Sequence, residues 1–279
     1  MRPHETDGRP GIVKQVTSHA NPGVKLVKSL ALRKARKETG LFYAEGAKVV
    51  AAARDAGWTA RMFLFKEGTS AKGGIVGDLL DWAVAGGAEC LEVPDAVLSK
   101  LVMKDNPQTV LGVFRQRWHT LDAVVPKPGA PWIVLENVRD PGNLGTIVRT
   151  ADAAGAAGVV LVGESCDPYS IEAVRATMGS IFAVPIVRAE RAAFLEWLAS
   201  WPGISVGTAL PARVDYRTVD YGAPTLLIMG NEGAGLSDAM AGACTHLVKI
   251  PMKGAADSLN LAIATALVLY EAQRATLSL

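Results

Sequence analysis

Leu135-Glu136-Asn137-Val138-Arg139-Asp140-Pro141-Gly142-Asn143-Leu144-Gly145-Thr146-Ile147-Val148-Arg149-Thr150 is the stretch on which the reading of this chain turns. The apolar run that enters it, Trp132 to Leu135, predicts a buried strand, and Asp140-Pro141-Gly142 is a turn signal that ends it. A helix is then expected from near Asn143, a residue type that caps helix N-termini. Gly145 would let the first turn pack closely, and Ile147, Val148, Ala151 and Ala154 continue an apolar face. Arg149 falls about two turns into that helix. On this stretch alone, a solvated arginine on an ordinary strand-loop-helix unit stands beside a functional one.

Two later stretches repeat the grammar of a strand followed by a loop of small residues. Thr225 to Met229 is apolar and ends in Gly230-Asn231-Glu232-Gly233-Ala234-Gly235-Leu236-Ser237. Leu247 to Ile250 ends in Pro251-Met252-Lys253-Gly254, runs on through Asp257-Ser258-Leu259-Asn260, and leads into a long apolar helix. Polar, glycine-rich loops at the ends of strands in one α/β sheet are expected to converge on a ligand crevice.

These three stretches resemble the three motifs of the SpoU, or TrmH-like, RNA ribose 2′-O-methyltransferases of the SPOUT superfamily. Asn137 to Arg149 is similar to the first, Gly230 to Gly233 to the second, and Ile250-Pro251-Met252 with Ser258-Leu259-Asn260 to the third. The resemblance covers about the C-terminal half of the chain. It implies an α/β SPOUT domain with a mostly parallel sheet and a deep trefoil knot, homodimerisation through that domain, and S-adenosylmethionine (SAM) as cofactor. The substrate implied is a ribose 2′-hydroxyl of RNA, ribosomal RNA in preference. A transfer-RNA enzyme and a non-catalytic RNA-binding protein of the same fold are the alternatives. A Rossmann-type enzyme is disfavoured, because no glycine loop here has the order G-x-G-x-x-G with an acidic residue about 20 positions on.

The chemistry asks little of the protein beyond placement and charge. The methyl of SAM is already activated, so a nucleophile must be set in line with it. A ribose hydroxyl is a poor nucleophile until its proton leaves, and the resemblance gives Arg149 the central role. A guanidinium is effectively always protonated and makes an awkward base. Arg149 is therefore read as gripping the target phosphate and stabilising the developing alkoxide, with proton acceptance by a neutral form the family's alternative. By the same resemblance Asn143 orients Arg149 and the ribose, and Glu232 fixes the arginine or the methionine end of the cofactor. Ser258 and Asn260 contact the ribose or phosphate; as local structure, Ser258 reads as an N-cap with Asn260 in the first turn. Gly230, Ile250 and Leu259, with Thr208, line the adenine slot. No metal is implied.

The rest of the chain fits an ordinary globular protein. Its 279 residues suggest one or two domains, with 49% hydrophobic and 20% charged residues. No run reads as a membrane span or a signal peptide, and a cytoplasmic location is expected. Cys90, Cys166 and Cys244 are widely spaced, as are the four histidines, which argues against a zinc site, a disulfide framework or a histidine-based triad.

Charge is unevenly spread. Residues 1–40 hold nine basic residues (Arg2, Arg9, Lys14, Lys25, Lys28, Arg33, Lys34, Arg36, Lys37) against three acidic ones, so a segment of +6 precedes a remainder of −4. Attraction to a phosphate backbone would favour that, and a solvated helix face is the alternative. Residues 1–20 are expected to be a flexible basic arm, and Gly23 to Thr39 one amphipathic helix. Phe42 to Gly46 then resembles the opening of an L30e-like RNA-binding domain, expected over 21–115. Within it helices at Ala47–Ala56, Ile75–Ala85 and Ala96–Leu101 alternate with strands at Arg61–Phe65, Cys90–Val93 and Val110–Phe114, which makes an α/β sandwich. Met103–Thr109 reads as a polar loop. A proline-rich linker is expected over 116–130, and the SPOUT domain over 131–279. There Ser170–Met178 should be a helix whose Arg175 either faces RNA, as the resemblance implies, or makes a surface salt bridge.

Overall fold

The computed structural model describes residues 10–69, 73–102, 109–255 and 257–278. Most of the expected arm's first half and of the Met103–Thr109 loop lies outside them. Contacts divide the chain into two compact units, Met1–Gln116 with Tyr169–Ala183, and Arg117–Pro168 with Val184–Leu279.

The first unit runs β1 (Ile12–Gln15), α1 (Pro22–Ser29), α2 (Arg33–Thr39), β2 (Leu41–Glu45), α3 (Ala47–Asp55), β3 (Met62–Lys66), α4 (Ile75–Ala85), β4 (Glu89–Val93), α5 (Asp95–Leu101) and β5 (Val110–Arg115). Its sheet has the order β1-β4-β3-β5-β2. β4 is parallel to β1 and β3, and β5 is antiparallel to β3 and β2.

Two expectations are corrected here. The flexible arm does not extend to residue 20, because β1 adds to the edge of the sheet, with Lys14 paired to Glu89 at 2.9 Å. All four β1 side chains are exposed, so the strand buries no apolar face and no hydrophobic alternation announces it. The single helix over 23–39 is two helices. Arg36 is buried at the second of them and donates to Leu30 O and Ala31 O at 2.8 and 2.9 Å, holding the turn that separates α1 from α2. Arg36 is thus no part of a cationic face, whereas Lys25, Lys28, Arg33, Lys34 and Lys37 are exposed.

The chain continues through β6 (Trp132–Glu136), α6 (Pro141–Ala153), β7 (Gly158–Val162), α7 (Ile171–Ala176), β8 (Ile186–Ala189), α8 (Arg191–Leu198), β9 (Ile204–Thr208), β10 (Val214–Asp215), β11 (Thr225–Met229), α9 (Asp238–Ala243), β12 (His246–Lys249) and α10 (Leu261–Ala272). These strands form a seven-stranded sheet, β10-β12-β9-β11-β6-β7-β8, parallel at every pairing. β6, β7 and β11 are buried throughout, which is why they read as continuous apolar runs rather than alternating ones.

The unit borders also differ from the sequence reading. Residues 117–130, expected as a linker, belong to the second unit: His119 exchanges backbone bonds with Ile186 and Arg188, and the Arg188 guanidinium lies 4.0 Å over Trp118. The segment 169–183, expected inside the SPOUT domain, packs with the first unit. Tyr169 meets Phe42 at 4.6 Å, Trp58 donates its indole N–H to Phe182 O at 2.8 Å, and Arg175 grips Glu45 through two nitrogens at 2.8–3.0 Å. That pair answers the question of Arg175 in favour of a salt bridge, partly buried and bidentate. Local sequence marks this helix but not the core it joins.

Candidate functional site

The seven-stranded sheet changes direction between β6 and β11. From β6 the chain steps outward to β7 and β8, whereas β9 and β12 lie on the far side of β11. At such a point the loops leaving the carboxyl ends of adjacent parallel strands diverge and open a crevice. The loops after β6, β9, β11 and β12 all end there.

The loop after β6 turns at Asn137, which adopts φ 54° and whose side-chain oxygen accepts Glu164 N at 2.9 Å. Asp140, not Asn143, caps α6: its Oδ1 accepts Asn143 N at 2.6 Å, and Pro141 takes the first helical position, where a missing N–H costs nothing. Asn143 lies inside the first turn, which frees its side chain for the crevice.

The loop after β11 folds back on itself. Asn231 and Gly235 exchange backbone hydrogen bonds at 2.9 Å, and Gly235 supplies the left-handed turn with φ 68°. A Cβ on Gly230 would lie 2.1 Å from Gly235 C, so only glycine fits beneath this fold-back. Side chains then tie the loop to its neighbour. Glu232 accepts from Arg139 N, Asp140 N, Asn143 Nδ2 and Asn231 Nδ2, each at 3.3 Å, and Asn231 Nδ2 also donates to Asn137 O at 2.8 Å. Beneath them, Glu136 is 1% exposed and accepts from Ser237 N and Oγ at 2.8 and 2.7 Å and from Arg191 Nε at 2.8 Å.

The third loop ends at Asn260, which caps α10 by accepting Ala262 N at 2.9 Å. The expected cap, Ser258, lies two residues earlier and is exposed. Asn260 Nδ2 donates to Asn143 Oδ1 at 2.9 Å, which closes a polar line Asn260–Asn143–Glu232.

Two adjoining cavities result. One of about 180 Å³ is lined by Thr208, Gly230, Ile250 and Leu259, with Met229 and Leu261 adding apolar surface and Glu232 and Ser258 at its edge. The other, of about 550 Å³, is lined by Arg139, Asp140, Asn143, Glu232, Ser258 and Asn260 among others. Asn231, Glu232, Ser258, Leu259 and Leu261 border both. Eight of the nine residues singled out from the sequence therefore meet here.

Arg149 is the ninth and stands apart. Six residues beyond Asn143 on α6, it is displaced by about 9 Å along the axis and about a third of a turn round it. It lines neither cavity, is exposed, and has no side-chain partner among the described residues. Asn143 and Glu232 are bonded to each other and to the loops, and neither has a hydrogen bond to Arg149 among the described residues. Sequence reasoning passed over Glu136, Asn137, Arg139 and Asn231. A carboxylate closing an otherwise apolar strand was the available signal for Glu136.

Nearby, burial, helped by Glu232 and Asp140, pushes the Cys166 thiol up to about 12. It is thus a protonated, inert neighbour of the crevice at neutral pH.

An apolar slot opening into an amide- and carboxylate-lined recess, at the carboxyl ends of parallel strands, defines an α/β enzyme that holds a nucleotide-like cofactor against a polar substrate. Comparison with known proteins gives the particular kind. The SpoU rRNA Methylase family model matches residues 131–270, and a model described as an MRM3-like substrate binding domain matches residues 21–112. The 23S rRNA (uridine(2479)-2′-O)-methyltransferase of Streptomyces viridochromogenes is 32% identical over 89% of this chain and 88% of its own length. The 23S rRNA (guanosine(2553)-2′-O)-methyltransferase of Bacillus subtilis is 32% identical over 92% and 98%. The crystal structure of the AdoMet-bound rRNA methyltransferase from Sinorhizobium meliloti is similar with a TM-score of 0.89 and 48% identity, covering 95% of this chain and 99% of that one. The chain belongs to the SpoU rRNA methylase family.

Proposed function

We propose that this protein transfers the methyl group of SAM to a ribose 2′-hydroxyl of ribosomal RNA. The observation that carries the reading is the pair of adjoining cavities, one apolar and one polar, sharing Glu232, Ser258 and Leu259.

The residues present suit the cofactor. The slot offers the apolar walls of Met229, Ile250, Leu259 and Leu261, which would suit an adenine ring, beside a main chain kept open at Gly230, and a carboxylate, Glu232, at its edge, which would suit a cationic sulfonium. When bound, SAM supplies an activated methyl group. Glu232 fixes the relative position of the first two loops, because its carboxylate takes donors from both. Asn143 and Asn260, already bonded to one another, and Ser258 bracket the ribose. Arg149 lines neither cavity of this chain, and the likeness to the family's first motif is what assigns it the oxyanion that forms as the hydroxyl loses its proton.

The exposed cations Lys25, Lys28, Arg33, Lys34 and Lys37 of the first unit attract the RNA backbone. In this reading the enzyme is cytoplasmic; no helix among the described residues is long and apolar enough to cross a membrane. It is also a homodimer built on the C-terminal domain, whose chain carries the family's trefoil knot. Support for the dimer comes from α10, where Ile263, Leu267 and Tyr270 are 53%, 39% and 48% exposed along one helical stripe. A monomer in sedimentation at micromolar concentration would overturn the dimer.

The function itself is tested with methyl-labelled SAM and deproteinised ribosomal RNA. Label should enter RNA and block alkaline cleavage at one nucleotide. Label in a base, or none, overturns the proposal.

A further inference from the structure

We infer that Arg139 is the residue that holds an RNA phosphate at the methylation site. The inference rests on the proposed reading and adds to it a second arginine with a separate task.

Among the residues lining the polar recess, Arg139 is the cation. Its backbone is fixed, since its N–H is held by Glu232 at 3.3 Å and the next residue caps α6. Its side chain is exposed and has no hydrogen bond or ion pair among the described residues. A guanidinium on an anchored backbone, with its donors unused, is suited to fork onto a phosphate.

The surrounding charge sharpens the point. Asp140 and Glu232 both border the recess, so a phosphate entering it meets two carboxylates. Their oxygens are engaged by Asn143 N on one side and by Arg139 N, Asp140 N and two amide groups on the other, which weakens the repulsion without reversing it. A cation at the rim is what makes the recess tolerable to a nucleotide. Arg149 does not line it and Arg139 does, so the phosphate grip first read for Arg149 falls to Arg139.

The test uses the full-length protein, Arg139→Ala, Arg139→Lys and Arg139→Glu, with deproteinised ribosomal RNA and a single-stranded oligouridylate as probes. Binding is measured across a range of KCl concentrations, and KM for RNA and Kd for SAM are measured alongside. Removing one phosphate contact should lower the slope of log affinity against log salt by about 0.7 to 0.9. For Arg139→Ala, KM for RNA should rise on the order of 10-fold, the lysine variant should keep the slope, and the glutamate variant should bind more weakly than the alanine one. The Kd for SAM should hold in all three. An unchanged salt slope in Arg139→Ala, or a loss confined to kcat, overturns the inference. A wild-type protein that binds RNA but transfers no methyl group would overturn the proposed reaction instead, and the salt slope would still decide the role of Arg139.

Discussion

Glu136→Ala should destabilise the protein and loosen the cofactor site together. The carboxylate is 1% exposed, so water does not replace what it accepts. Its two bonds to Ser237 N and Oγ, at 2.8 and 2.7 Å, are short and charge-assisted, and such bonds contribute about 1.5 kcal/mol each at the lower end of their range. The Arg191 pair adds less, because that guanidinium is 44% exposed, screened, and able to return to water. The loss is then about 3 kcal/mol, with the Ser237 N–H left short of a partner. For a chain of this size that lowers the thermal midpoint by roughly 6 to 12 °C. Glu136→Gln keeps the shape and one acceptor, and should lose about half as much. Circular dichroism melting gives the midpoint, and calorimetric titration gives SAM affinity. Ser237 ends the loop that covers the slot, so affinity should fall with the midpoint. An alanine variant that melts within a degree or two of the wild type with unchanged SAM affinity would refute the idea that this carboxylate holds the two loops in register.

Arg149→Ala should lower turnover on the order of 10²-fold with little change in SAM affinity, and Arg149→Lys should rescue little, since an ammonium lacks the planar fork; methyl transfer near the normal rate in the alanine variant contradicts the role given to it. Replacing Lys25, Lys28, Lys34 and Lys37 by glutamine should flatten the salt dependence of RNA binding at unchanged melting temperature, whereas Arg36→Gln should do the reverse, because Arg36 is buried on the carbonyls of the turn between α1 and α2. Alkaline pH should also destabilise the fold. Burial, aided by Glu89 and Glu136 respectively, pushes the Cys90 and Cys244 thiols up to about 11, Cys166 rises to about 12, and Tyr43 and Tyr221 are raised as well. These groups stay protonated in the folded chain after the unfolded chain has released its protons, so stability is full below the ordinary thiol range and falls as pH rises from about 9. Melting midpoints between pH 7 and about 11 check this, and the decline should be shallower with all three cysteines replaced by alanine.

Much of the site could be read from the sequence because its physics is local. Gly230 is beneath a fold-back that excludes any side chain, and the buried parallel strands β6 and β11 announce themselves as unbroken apolar runs. What escaped reading was nonlocal. Whether Asp140 or Asn143 caps α6 depends on which side chain the crevice claims, and Asn143 is claimed by Glu232 and Asn260, 89 and 117 residues away. β1 has no buried face and so leaves no pattern. Arg36 sits in a run of cations, and nothing in that run distinguishes the one that turns inward.

The helix α7 and its flanks bear on how this protein could be taken apart. The backbone passes between the two units at 116/117, again at 168/169 and once more at 183/184. A gene fragment stopping at Gln116 would omit Tyr169 and Phe182 from the aromatic cluster around Phe42, Trp58 and Phe114, and would remove the Arg175 fork from Glu45. The N-terminal unit is therefore no cassette that a single cut releases. A stand-alone version would have to carry residues 169–183 as a spliced C-terminal extension, and a chimera that exchanges this unit between relatives would have to exchange both pieces.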